Sequence, residues 1–210
     1  MSNMHRATEQ VFIDTNMLLF ATQYHRDDVF SWFNKLYGNI WVHIDVLEEI
    51  LIKRQRVQEE INANRWHLFD PFANLSAEEQ IVYNAYVTDI RNAFSRLNDR
   101  RAASGQRVKN TANTGEISTL AVCLTIDAHL ICSNDFDIRD VVIAENYTFT
   151  DDENNERLIV QDTAEDFCFH CVLETDITKA QVRRFYKTLY DNANSRRKNL
   201  ALLDQRLEAL

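Results

Sequence analysis

Glycine and proline are almost missing from this chain. Three glycines and one proline serve 210 residues, where average usage would supply about 25 of the two together. Few positions can then take a positive φ without a steric cost, which counts against an all-β architecture and favours long helices. Long apolar runs are absent too: nothing approaches the ~20 residues of a membrane span, and Met1-Ser2-Asn3-Met4-His5-Arg6 leads into no signal-peptide core. A soluble, cytoplasmic protein that does not engage a membrane is expected. Cysteine is scarce, with Cys123, Cys132, Cys168 and Cys171 expected to be reduced in that compartment. Cys168-Phe-His-Cys171 has CxxC spacing but no second pair to complete a zinc site, so it reads as an apolar helical stripe with Phe167 and Val172. Finally, positive charge is short: 23 Lys and Arg stand against 32 Asp and Glu, a net −9. That excludes a generic nucleic-acid-coating protein, though not an enzyme with local basic faces.

What is present is core-forming material. Hydrophobic residues make up 45% and aromatics 10%, enough to exclude disorder over most of the chain. The length allows one domain with elaborations or two small ones. Gln10-Val-Phe-Ile13, Ile40-Trp-Val-His-Ile44, His129-Leu-Ile-Cys132 and Arg157–Gln161 read as short buried strands. Helices are expected between them. One spans Met17–Ala21, and one follows Asp27-Asp28 and ends at Gly38. Another is capped by Asp45, carries Val46, Leu47, Ile50 and Leu51 on one side, and runs to Ala63. Pro71 marks a break. Ser76-Ala-Glu-Glu79 has capping-box spacing and opens a long helix to about Arg101. Residues 102–113 read as a loop, and Thr114 as the cap of a helix over Glu116–Ile126. Residues 151–156 form an acidic loop, Thr163 caps the helix bearing the cysteines, and Ile177–Leu210 is a long charged helix or helix pair.

Short apolar strands alternating with helices indicate an α/β protein with a mainly parallel sheet. In such folds reactive groups gather beyond the carboxyl ends of the strands, and carboxylates stand there. Asp14 ends the first strand, Asp135 and Asp137 follow the third, Glu48 and Glu49 lie about a turn after the second, and Glu116 opens the helix before the third. Crowded carboxylates repel and need a counter-charge. Mg²⁺ or Mn²⁺ supplies it with a preference for oxygen ligands, and such a site suits phosphodiester hydrolysis. Helical periodicity does not choose between Glu48 and Glu49. Each acid also has a plain structural role available: helix capping for Asp14, turn chemistry for Asp135 and Asp137, a first-turn charge for Glu116.

These motifs resemble the PIN-domain nucleases. Val11-Phe-Ile-Asp14-Thr15-Asn16 is similar to that family's opening strand and Asp-Thr-Asn turn. Asp45-Val-Leu-Glu-Glu49-Ile50 resembles its second acidic motif, and on that match Glu49 is the glutamate. Thr114-Gly115-Glu116-Ile117 and Ser133-Asn134-Asp135-Phe136-Asp137 resemble the third and fourth. The motifs come in family order over about residues 10–172. The resemblance implies a helix-rich three-layer α/β/α sandwich, with residues 1–175 as the nuclease domain, a helical insertion over about 64–109, and a C-terminal helical extension over 176–210. It implies that Asp14, Glu49, Glu116 and Asp135 bind Mg²⁺ or Mn²⁺ and serve catalysis, with Asp137 assisting. Asn16 is expected to orient Asp14 from behind, and Ser133 to support the site or touch phosphate. The implied activity is endoribonuclease cleavage of single-stranded RNA, as a toxin with an antitoxin partner or as a processing enzyme. The rivals are an inactive PIN-like binding or assembly module and a DNA structure-specific nuclease.

Charge is unevenly distributed. Residues 91–109 carry Arg91, Arg96, Arg100, Arg101, Arg107 and Lys109 against Asp99, and residues 183–198 also carry six basic residues against one acid. Residues 145–176 carry ten acids against Arg157 alone. RNA is therefore expected on a particular face, with Arg100, Arg101, Arg107 and Lys109 as contacts. The leucines of the terminal helix, Leu200 to Leu210, could pack on a second copy or a protein partner.

Overall fold

Val11, Phe12 and Ile13 have no exposed surface, because the strand they form lies in the middle of a parallel sheet. The structure, a computed structural model, describes residues 5–50, 54–108, 113–151 and 153–210. The expectations that fall on Leu51, Lys109 and Asp152 lie outside the described residues. The elements run β1 (Gln10–Ile13), α1 (Thr15–Gln23), α2 (Val29–Leu36), β2 (Asn39–His43), α3 (Ile44–Glu49), α4 (Arg54–Asn62), β3 (Trp66–Phe69) and α5 (Pro71–Asn74). They continue with α6 (Ala77–Ala103), α7 (Thr114–Ile126), β4 (Leu130–Cys132), α8 (Phe136–Glu145), β5 (Thr148–Thr150), β6 (Glu156–Leu158) and β7 (Val160–Asp162). The chain ends with α9 (Ala164–Glu174), α10 (Lys179–Tyr186), a 3₁₀ turn at Lys187–Leu189, and α11 (Ala193–Glu208).

The main sheet has the order β3-β2-β1-β4-β7, and every neighbouring pair is parallel. Successive side chains point to opposite faces of a strand. Val11, Ile13, Ile40, Val42, Leu130 and Cys132 therefore share a core with α1, α2, α9, α10 and α11. Phe12, Phe69 and Ile131 share the other core with α6, α7 and α8. The result is the expected three-layer α/β/α arrangement. Coverage on both faces explains why these strands read as continuous apolar runs.

Several helix signals work as anticipated. The Asp28 carboxylate accepts from the Phe30 and Ser31 amides at the start of α2. Ser76 and Glu79 form a reciprocal capping box at α6, which runs two residues past Arg101 to Ala103. Thr163 and Asp166 do the same at α9. Other signals differ. Asp45 does not cap α3: His43 takes that position, its Nδ1 accepting from the Asp45 amide, and α3 stops at Glu49 before α4 resumes. The cap position of α7 belongs to Asn113 rather than Thr114.

Residues 66–69, inside the stretch expected to be helical, form the edge strand β3, where Trp41 and His67 stack across the pair with ring centroids 4.7 Å apart. Pro71 begins the short helix α5 as well as breaking what precedes it, its missing N–H costing nothing in a first turn. The fourth expected strand divides at Ile159. Its first part pairs antiparallel with β5, and its second joins the main sheet beside β4. The shortage of glycine does not exclude positive φ. Among the described residues Asn64, Asn113, Asp127, Asn146 and Asn154 adopt it, with Gly105, since short Asn and Asp side chains tolerate the left-handed region best after glycine.

The C-terminal segment is a helix pair folded back on the main body. Val182, Phe185, Leu203 and Leu207 belong to the same core as β1 and β4. The Phe185 ring meets Tyr24 at 5.4 Å and Trp32 at 5.8 Å. All four cysteines are unpaired and buried, Cys168 and Cys171 on the inner stripe of α9. Among the described residues no helix is long and apolar enough to cross a membrane.

Candidate active site at the switch point of the sheet

The chain leaves β1 for helices on one face of the sheet and leaves β4 for α8 on the other. The carboxyl edge between these two adjacent strands is the switch point of the sheet, the place where open α/β sheets form a ligand-binding crevice. Asp14 and the Ser133-Asn134-Asp135 turn lie at that edge.

Asp14 follows β1 directly and is fully buried. It occupies the N-cap position of α1, yet its side chain caps nothing. Its Oδ2 accepts from the Ser133 hydroxyl at 2.8 Å and from Asn16 Nδ2 at 2.5 Å. Its Oδ1 is buried and has no hydrogen-bond partner among the described residues. An unsatisfied carboxylate oxygen in the interior is costly. Burial, followed by repulsion from Glu49 and Asp135, pushes the Asp14 carboxyl up to about 6, against the pull of the Ser133 hydroxyl and the nearby Thr15 amide, which lies outside hydrogen-bond geometry to Oδ1.

Asn16 joins the two loops. Its Nδ2 reaches Ser133 Oγ at 3.1 Å as well as Asp14, and its Oδ1 accepts from the Asn134 amide at 2.8 Å. Ser133 Oγ in turn accepts from the Asp135 amide at 3.1 Å. A single hydroxyl thus ties both acidic turns. Asp135 caps α8, its Oδ1 accepting from the Asp137 amide at 3.0 Å. Gln161, on β7, donates from Nε2 to the Ser133 and Asp135 carbonyls at 2.7 and 2.8 Å, which clamps that turn from below.

Glu49 comes from the end of α3. Thr15 Oγ1 donates to its Oε2 at 2.6 Å and the Gly115 amide to its Oε1 at 2.9 Å. These bonds turn Glu49 toward Asp14 and Glu116. Glu48 and Glu49 both line the shallow depression they share with Asp45 and Thr114. Glu116, half-buried in the first turn of α7, is pushed up to about 8 by burial and then by the charges of Asp14, Asp135 and Glu49. The four acids named by the motifs therefore act on one another electrostatically at this switch point. Asp137 is buried and its Oδ1 meets Arg101 Nη2 at 2.7 Å, the same guanidinium that reaches Asp140 at 3.1 Å.

The donor set is all oxygen, its acids repel, and one oxygen of Asp14 has no hydrogen-bond partner among the described residues. These features fit a hard divalent cation. Among the described residues no three His, Cys, Asp or Glu side chains converge tightly enough to grip an ion directly. Mg²⁺ keeps several of its waters, and binding through them needs less convergence.

The basic residues are placed unevenly. Arg100 and Arg107 are exposed, Arg101 is engaged as above, and Lys109 lies outside the described residues. Arg96 pairs with Glu145, Arg183 with Asp204 and Arg184 with Asp27, so much of the excess charge in both basic segments is compensated locally. Sequence reasoning missed Thr15 and Gln161 as parts of the site. Thr15 lay inside the opening motif, and Gln161 was a polar residue in an otherwise apolar strand.

Comparison with protein-family models gives no match, and comparison with curated proteins gives none.

Proposed function

We propose that the chain is a metal-dependent endoribonuclease of PIN type, hydrolysing phosphodiester bonds of single-stranded RNA in the crevice between β1 and β4 with Mg²⁺ or Mn²⁺. The observation that carries this reading is that Asp14, Glu49, Glu116 and Asp135 lie close enough for their charges to raise the Asp14 and Glu116 carboxyls, with Asp14 Oδ1 buried and without a hydrogen-bond partner among the described residues. Asp14, Glu49, Glu116 and Asp135 would hold the ion, most of them through its bound waters. Bound there, the ion supplies Lewis acidity for orienting the phosphate and lowering the pKa of a water. Ser133 and Asn16 hold Asp14 in one orientation, and Thr15 with the Gly115 amide holds Glu49. Preorganised acceptors of this kind need little rearrangement when the reaction begins. Arg100 and Arg107 are exposed cations for the phosphate backbone.

The test is cleavage of a single-stranded RNA by purified protein with Mn²⁺ or Mg²⁺, beside Asp14→Asn and Asp135→Asn, with flap DNA and a phosphate monoester in parallel. The expected result is divalent-dependent RNA cleavage that both variants lose, together with weaker Mn²⁺ binding by calorimetry. Equal cleavage by all three proteins, or no Mn²⁺ binding by the parent, overturns the reading. Preferential cutting of the flap DNA replaces RNA as the substrate.

A further inference from the structure

Among the described residues Phe72 and Phe136 are the exposed phenylalanines, at 86% and 47%. Phe72 sits on α5, among residues unconnected with the carboxylates. Phe136 is the residue directly after Asp135. One turn along α8, the Arg139 guanidinium lies over the Phe136 ring, 5.2 Å from its centroid. Arg139 makes no ion pair among the described residues, whereas Arg101, which also approaches α8, is held by Asp137 and Asp140. An aromatic ring held open to solvent, backed by a cation with no carboxylate partner among the described residues and placed one residue from an acidic site, has the features of a stacking surface. The ring can stack on the face of an unpaired base, whatever its identity, and the guanidinium strengthens the stack and can reach a phosphate. Paired bases are stacked on one another and cannot use such a surface.

We propose that Phe136, backed by Arg139, is the platform on which an unpaired nucleobase beside the reacting phosphate stacks, so that the site selects single-stranded over duplex nucleic acid. This rests on reading the crevice as a phosphodiester site. Phe136 contributes to binding and selection, while the carboxylates carry the chemistry.

The experiment follows a ten-nucleotide single-stranded RNA with one 2-aminopurine, whose fluorescence falls on stacking, with Ca²⁺ replacing Mg²⁺ during binding. Parent, Phe136→Ala, Phe136→Trp and Arg139→Ala are compared, with thermal melting to verify folding. The same sequence as DNA and as a duplex completes the set. Expected are quenching by the parent and by Phe136→Trp, none by Phe136→Ala, and about tenfold weaker binding by Phe136→Ala, the lower part of the range for losing one stacked base. Arg139→Ala falls between, and the duplex binds more weakly than either single strand. The inference is overturned if folded Phe136→Ala binds and quenches like the parent, or if the parent binds neither single strand. If the parent cleaves RNA with Mn²⁺ while Phe136→Ala matches it throughout, the nuclease reading stands and the platform falls. If quenching depends on Phe136 but no cleavage occurs with any metal, the platform stands and the nuclease reading falls.

Discussion

The carboxylate of Glu49 occupies space that a side chain at position 115 would need. A β-carbon built on Gly115 would lie 2.8 Å from Glu49 Oε2 and 3.1 Å from Val46 Cγ2. Gly115→Ala must therefore push Glu49 away from the Gly115 amide. Because the nearest atom ends a flexible side chain, the folding cost is expected to be modest, about 1 kcal/mol. The cost to Mn²⁺ binding is expected to be larger, about tenfold, in the range seen when groups that orient ligands are lost. Calorimetric titration with a parallel urea melt checks this. An unchanged Mn²⁺ affinity would mean that Glu49 is not among the ligands.

Gln161 holds two backbone carbonyls of the turn that presents Asp135. Gln161→Leu leaves both without their donor. The expected loss is about 1–3 kcal/mol, that of buried polar groups left unsatisfied. Denaturant unfolding measures it, and hydrogen exchange should accelerate first at the Asp135 and Asp137 amides. Unchanged exchange in that turn would show that Gln161 does not hold it.

His43 is buried between β2 and α6. Its Nδ1 accepts from the Asp45 amide, so the proton belongs on Nε2, which faces the Tyr83 hydroxyl at 3.2 Å. Burial, only partly opposed by the charges of Asp45 and Asp70, lowers its pKa from 6.5 to about 4. The imidazole is thus neutral in the fold and titrates more easily when unfolded. Its stabilising effect is complete above about pH 6.5. It falls as the unfolded chain takes up the proton, and is gone below about pH 4. Over that window the effect is at most about 3 kcal/mol. Urea unfolding at pH 7 and pH 5 should show a steeper decline for the parent than for His43→Gln. Equal slopes would place the titration elsewhere.

The C-terminal helix pair is tied into the main core through Phe185. Phe185→Ala removes a fully buried ring that meets Tyr24, Trp32 and Phe167. A loss of about 3–5 kcal/mol is expected, visible as a large drop in melting temperature. Truncation after Asp176 exposes the same rings and should yield aggregated protein. A soluble, cooperatively folding truncated chain would show that the helix pair is dispensable.

The alternation of short apolar strands with helices was legible in the sequence because burial on both faces leaves continuous hydrophobic runs such as Val11-Phe12-Ile13. The capping box at Ser76 and the cap at Thr163 were legible because their chemistry is local. The order of acids after strands was legible for the same reason, since strand and turn lie together in the chain. β3 was not: four residues at a sheet edge carry too little periodicity, and pairing with β2 makes them a strand. The divided strand at Ile159 was hidden because both halves read as one run. The bonds from Thr15 and the Gly115 amide to Glu49 were not legible either, since those residues come from other parts of the chain.

Even the near absence of glycine could be misread, because asparagine and aspartate take the left-handed positions that it leaves. By itself the sequence determined the fold class and several helix starts, such as those at Asp28, Ser76 and Thr163, through periodicity, capping and neighbours a few residues apart. Tertiary structure alone decided which of the acids act on one another, that Asp14 Oδ1 is buried without a hydrogen-bond partner among the described residues, and that Phe136 is exposed beside Asp135. The relation between Asp14 and the Ser133–Asp135 turn joins residues more than a hundred positions apart. It exists only where β1 and β4 pair and their chains leave on opposite faces of the sheet.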